Sequence, residues 1–278
     1  MTRSTKITDE LPRPHSLVSL AHSKLQALIF NGHILAGQKL KESVIADQIG
    51  FSRGPVREAS QMLVSEGFLL AISQRGLFVR DFSADEIDDL YQIRGHLSLL
   101  VGRLAAENRD KSAIDRLRET HARMQDAVNV QADESYFEIT QQFNDTVLET
   151  AKNDELAKIY RRVVRSIRLY RVQFLDPLRR TGERHTWLAD SYREAIDQRG
   201  KFLEALEKGD GELSGIQLNR HSEDSRERTA ALVGAFRNLE RNAKQSDGCV
   251  GLLLRGYWPL GPRRWIVSGT RCTVSKQG

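Results

Sequence analysis

The chain has 278 residues, 40% of them apolar and 28% charged, and its 42 Lys+Arg against 37 Asp+Glu give a formal charge of +5. That length suits one large or two ordinary domains with a sizeable core, and the charged fraction argues against a disordered chain. No stretch approaches eighteen consecutive apolar residues, which excludes a membrane-spanning helix. The opening residues lack an apolar leader core, so the expected location is the cytoplasm.

The positive excess is uneven. Residues 1–80 carry 10 basic and 6 acidic groups, residues 81–246 carry 27 and 30, and residues 247–278 carry 5 and 1. A basic N-terminal module beside an acidic body suits a nucleic-acid reader joined to a second domain, although random scatter of charge gives the same totals.

In chain order, residues 1–16 are a polar arm containing Pro12 and Pro14. The spacing predicts an amphipathic helix over 17–31, stopped at Asn31-Gly32, and a short helix over 42–49, stopped by Gly50. Pro55 fits the first turn of a third helix, over 56–66, closed by Gly67. Residues 68–72 and 77–80 read as two short strands around the turn cluster at 73–76. Three helices and a hairpin over 17–80 outline a winged helix-turn-helix.

Beyond it, residues 56–258 hold a single proline, Pro177, and are rich in helix formers. Ile87, Leu90, Tyr91, Arg94, Leu97, Val101, Leu104 and Ala105 form one helical stripe with a single charge in it. Similar stripes at 114–124, 136–148, 156–174, 187–206 and 213–239 predict six helices in an antiparallel bundle. The expected fold class is therefore mainly α: a winged helix-turn-helix followed by an all-helical bundle. Residues 247–278 lose the helical period and read as an irregular tail with no assigned function. They hold the only two cysteines, Cys249 and Cys272, which form neither a disulfide framework nor a cysteine zinc site.

The densest signal runs from Glu42 to Gln61, ESVIADQIGFSRGPVREASQ. Val44, Ile45, Ala46 and Ile49 supply the buried side of one helix. Advancing 100° per residue along the next, Val56, Ala59 and Leu63 share one face, and Arg53, Arg57, Ser60 and Gln61 share another. A major groove admits one helix, and arginine grips guanine or phosphate through paired hydrogen bonds. An ordinary amphipathic helix with solvated arginines would show the same pattern. Gly50-Phe-Ser52-Arg-Gly54 also matches G-x-S-x-G, the nucleophile elbow of hydrolases, which requires a strand before the serine.

The segment SRGPVREASQMLVSEGFL, followed by QRGLFV, resembles the winged helix-turn-helix of the GntR family of bacterial transcription regulators, over residues 17–80. The resemblance implies that Ser52, Arg53, Gly54 and Arg57 face DNA from the recognition helix, and that Gln74, Arg75 and Gly76 form the wing tip; the helical face read above adds Gln61 to the DNA-binding set. Gly54 stands where the family usually has threonine, which removes one hydroxyl contact.

Residues 83–242 resemble the all-helical FCD effector domain of the FadR-type branch. Three segments carry that likeness: Leu90-Tyr-Gln-Ile-Arg94, Phe143-Asn144 through Asn153, and Phe202 through Asp210 together with His221. Many relatives hold a divalent metal there with one aspartate and three histidines. Those positions fall at Thr140, Asn144, Arg199 and His221, so His221 alone survives. One imidazole with an amide and a hydroxyl is a poor site for zinc or nickel. No metal or other cofactor is expected, and the ligand-binding set is Arg94, Thr140, Asn144, Arg199 and His221, with the arginines offering charge to a small carboxylate.

The sequence thus points to a homodimeric transcription regulator, expected to be a repressor and not an enzyme. It would bind a palindromic operator in double-stranded DNA under control of an organic acid, with no membrane partner. The alternatives are a constitutive DNA-binding protein with a degenerate effector pocket, or a hydrolase using Ser52.

Overall fold

The computed structural model describes residues 14–130, 133–180 and 186–245, plus 267–268 and 271–272. The chain divides into two compact units, Met1–Asp81 and Phe82–Gly278.

In the first unit, α1 (Pro14–Phe30), α2 (Glu42–Ile49) and α3 (Arg53–Ser65) precede a three-stranded sheet. Its strands are β1 (Lys39–Leu40), β2 (Leu69–Ile72) and β3 (Gly76–Val79), in the order β1-β3-β2, both pairs antiparallel. The core follows from helical spacing. Ala21, Leu25 and Ile29 of α1 meet Val56, Ala59 and Leu63 of α3, all fully buried. Phe30 closes on Phe68 edge to face at 5.1 Å. The strand β1 is too short to leave a periodic signal, and pairing with β3 alone defines it.

Two expectations about the helix-turn-helix do not hold. Val44 is 54% exposed, because it lies about 100° from Ile45 on a helix whose buried seam, Ile45, Ala46 and Ile49, is narrow. Ser60 is completely buried. It stands four residues after Val56 and beside Ala59, at the edge of the apolar face, where a side chain this small is covered by the packing.

The second unit is the expected helical bundle: α4 (Ala84–Asn108), α5 (Lys111–Asn129), α6 (Asp133–Thr150), α7 (Asp154–Arg180), α8 (Thr186–Lys208) and α9 (Gly211–Gln245). Short polar side chains start these helices. Ser83 and Glu86 form a reciprocal capping box on α4, Asp110 accepts from the Ala113 N–H, Asn153 from Leu156 and Asp210 from Leu213. Gly209, at φ 74°, provides the left-handed turn between α8 and α9.

Val101, Ala105, Leu117, Met124, Phe143, Phe202 and Leu206 build the apolar core. Glycine lets α4 and α9 approach closely: a Cβ on Gly102 would lie 2.6 Å from the Ser214 carbonyl, and one on Gly215 would lie 2.6 Å from that of Leu99. Among the described residues no helix is long and apolar enough to cross a membrane. The tail lies largely outside the described residues. Within it β4 (Val267–Ser268) pairs with β5 (Arg271–Cys272).

Candidate DNA-binding face and ligand chamber

The helix-turn-helix is set by local chemistry. Gly50 takes φ 75°, and its N–H bonds the Ala46 carbonyl, so α2 ends in a sharp turn. Lys24 Nζ reaches across to the Ile49 carbonyl at 3.2 Å and lies 5.1 Å from the centre of the Phe51 ring, tying α1 to that turn. Ser52 occupies the N-cap position of α3, though its hydroxyl makes no cap bond.

With Val56, Ala59 and Leu63 held in the core, Ser52, Arg53, Gly54, Arg57 and Gln61 are exposed together on the opposite face. A Cβ on Gly54 would meet nothing within 4 Å, so the glycine leaves open space and is not required by packing. The element that leads directly into Ser52 is the helix α2 rather than a strand, so the geometry of a nucleophile elbow is missing.

The wing is a β2–β3 hairpin in which Ile72 opposes Gly76. Gln74 at φ 59° and Gly76 at φ 101° turn the chain, and the Arg75 N–H bonds the Ile72 carbonyl. Gln74, Arg75 and Gly76 are all exposed at its tip. Sequence reasoning missed Lys39. Its ammonium lies 6.0 Å from the centre of the Phe78 ring and the Arg75 guanidinium 5.7 Å from it, so two cations flank one aromatic on the wing.

In the bundle the one charge of the α4 stripe is buried: Arg94 is 6% exposed and Arg199 on α8 is 5% exposed. Arg94 donates to the Ser225 hydroxyl at 3.4 Å, and Arg199 donates to the carbonyl of Ala195, one turn back on its own helix. The Nε atoms of both are buried without a hydrogen-bond partner. Arg199 lies 6.0 Å from the centre of the Phe143 ring. Burial is the main force lowering its pKa, opposed by Tyr136 and reinforced by Arg94.

His221 joins them, 6% exposed on α9. Burial first, then the guanidiniums of Arg199, Arg94, Arg228 and Arg171, hold its pKa well below the usual imidazole range, so it is neutral. Its Nδ1 sits 3.0 Å from Gln198 Oε1. Gln198 turns its amide nitrogen to Asp224 and its oxygen to Arg228. The oxygen therefore accepts from the Nδ1–H of His221, which leaves Nε2 as an acceptor.

Arg94, Arg199 and His221 are thus brought together, while Thr140 and Asn144 are half-buried on α6. Thr140 gives its hydroxyl to the Met124 sulfur at 3.5 Å. This donor set does not fit the divalent metal of many relatives. Among the described residues no three His, Cys, Asp or Glu side chains converge on a metal position, and a guanidinium beside His221 repels a cation. Sequence reasoning also missed Tyr136, Arg171, Gln198 and Arg228. Two periodicities pointed to the arginines: Arg171 continues the buried face Tyr160, Val163, Ile167, and Arg228 continues His221 and Ser225.

The family model described as "Bacterial regulatory proteins, gntR family" matches residues 18–79, and that of the FCD domain matches residues 89–224. The Nta operon transcriptional regulator of Aminobacter aminovorans is 30% identical over 139 residues, 50% of this chain and 66% of that protein. A protein of Paenarthrobacter nicotinovorans described as "Probable D-xylose utilization operon transcriptional repressor" is 28% identical over 195 residues, 69% of this chain and 80% of its own. The solved structure of E. coli McbR/YncC superposes with a TM-score of 0.66 at 22% identity, covering 79% of this chain and 98% of that one, a likeness of fold. With the DNA-binding and FCD matches together taking in more than half of its length, the chain belongs to the GntR family of bacterial regulatory proteins, and it is a transcription regulator with an FCD domain rather than an enzyme.

Proposed function

We propose that this regulator binds a palindromic operator as a homodimer in the cytoplasm, and that a small organic acid held by Arg94 and Arg199, without a metal, sets its operator affinity. The carrying observation is a pair of buried guanidiniums in a protein whose described residues include no buried Asp or Glu. A buried ion without a counter-ion is costly, so the chamber suits an anion whose carboxylate accepts paired hydrogen bonds. The metal-free mode is supported by Arg199, which supplies in place the positive charge a metal would bring.

On the DNA side, Ser52, Arg53, Gly54, Arg57 and Gln61 enter the major groove, and Gln74, Arg75 and Gly76 reach the adjacent minor groove. Two-fold symmetry of the dimer matches the palindrome. Repression is supported by the relative from Paenarthrobacter nicotinovorans, described as a repressor. The acid acts only through unequal affinity for the DNA-competent and DNA-incompetent states.

The test is binding-site selection from genomic fragments, followed by fluorescence anisotropy on the selected operator across a panel of organic acids. One acid of the panel shifts operator affinity in the wild type and loses its effect in Arg199→Ala. An operator affinity indifferent to every acid overturns the regulatory role of the chamber.

A further inference from the structure

The wing tip carries a cation that its own hairpin does not supply. Lys39 belongs to the edge strand β1 and stands opposite Phe78 of β3. Residues two apart on a strand share a face, so Gly76 lies on the same side as Phe78 and is the diagonal neighbour of Lys39. The lysine side chain follows that diagonal. A Cβ on Gly76 would lie 3.2 Å from Lys39 Cε and 3.7 Å from its Nζ, so the ammonium rests against the wing-tip glycine. A side chain at position 76 would crowd it away.

The Arg75 guanidinium lies 5.7 Å from the centre of the Phe78 ring and the Lys39 ammonium 6.0 Å from it, so one aromatic holds both cations at the tip. Both side chains are exposed, and among the described residues neither forms an ion pair with a carboxylate. An anionic surface outside the chain is the complement that this tip lacks. The two cations also differ in what they grip. A guanidinium is a planar fork that suits base edges and a narrow minor groove, whereas an ammonium is a compact point charge that suits a phosphate oxygen. The minor groove is about 6 Å wide and lined by phosphates on both rims.

We propose that Lys39 is a phosphate anchor of the wing: its ammonium binds a backbone phosphate on the rim of the minor groove that receives Arg75 and Gly76. This rests on the wing entering that groove, as proposed above, and adds a contact from outside the hairpin. Phosphate contacts fix register and orientation and carry no base identity. Lys39 is therefore a positioning residue, and Arg75 does the reading. Because Phe78 and Gly76 already guide the lysine side chain, less rotamer freedom is lost when it meets the phosphate.

Fluorescence anisotropy of the full-length protein on its selected operator, at salt concentrations from about 50 to 200 mM, tests the anchor. Each phosphate contact contributes about 0.9 to the slope of log affinity against log salt. Lys39→Gln is expected to make that slope shallower by about 0.9 per bound protomer, or about 1.8 for a homodimer, and Lys39→Arg to restore it. Binding to the operator and to its point variants weakens by one common factor, and site selection with Lys39→Gln returns the wild-type consensus.

A slope left unchanged by Lys39→Gln overturns the anchor, whether or not the melting temperature falls, since a lysine that only covers Phe78 would change stability alone. A changed consensus also overturns it, because the lysine then reads a base. Arg75→Gln on the same operator separates the anchor from the reading beneath it. If Arg75→Gln alters affinity or consensus while Lys39→Gln leaves the slope fixed, the anchor alone falls. If neither variant has any effect, the wing lies outside the groove and both fall.

Discussion

Arg57 and His221 show how much a single position carries. Arg57 is exposed on α3 and contributes nothing to the core. Arg57→Ala is therefore expected to leave the melting temperature unchanged while weakening operator binding by about 1–3 kcal/mol, if it grips a base edge bidentately. Anisotropy with the selected operator reads that loss, and unchanged affinity removes Arg57 from the interface. His221 is the opposite case, buried and neutral. Its folded pKa lies below its unfolded value of about 6.5, so the unfolded chain binds the extra proton. The contribution is complete above pH about 6.5 and falls as the pH drops, by up to about 1.4 kcal/mol per pH unit. Urea unfolding between pH 5 and 8 is expected to show a shallower acid limb in His221→Gln than in the wild type. Identical limbs would mean that the imidazole titrates normally.

Glycines decide two helix contacts in opposite ways. On α4, Gly102 abuts the backbone of α9, with no room for a Cβ. Gly102→Ala is expected to cost about 1–3 kcal/mol, because two backbones must separate. On α3, Gly54 faces open space, so Gly54→Ala is expected to gain about 0.5–1 kcal/mol from the backbone entropy glycine loses in a helix. Urea titrations with an unchanged m-value measure both. A stabilising Gly102→Ala would contradict the close approach of α4 and α9. The helix starts needed no tertiary information: Ser83, Asp110, Asn153 and Asp210 cap their helices through hydrogen bonds three residues long. The strand β1 did need it, since two residues carry no periodicity and pairing with β3 creates the element.

For the whole chain, two units with separate cores divide the work: exposed cations on the helix-turn-helix and wing, and buried cations in the bundle. An anion that fills the chamber binds the folded state alone. At a hundred times its dissociation constant it is expected to stabilise the protein by about 2.7 kcal/mol, visible as a rise in the melting temperature. A probe that binds in titration yet leaves the melting temperature fixed would bind the unfolded chain as well as the folded one, so it would not be held by the folded bundle.

The sequence by itself determined the mainly α architecture, the helix-turn-helix with its wing, and the exposed set around Arg53 and Arg57. All of these rest on period, capping and turn chemistry within about a dozen residues. It also marked Arg94 as the lone charge in an apolar stripe. It misjudged Val44 and Ser60, because burial at the edge of a helical face depends on the neighbour's width rather than on the angle. The family resemblance had already named Arg94, Arg199 and His221, and only the tertiary structure added Gln198 and Arg228 beside them. Arg171, Arg199, His221 and Arg228 come from three helices spread over nearly sixty residues, and an arginine's partner is set by which helix packs opposite it. Their excess of positive charge exists only once the bundle has closed.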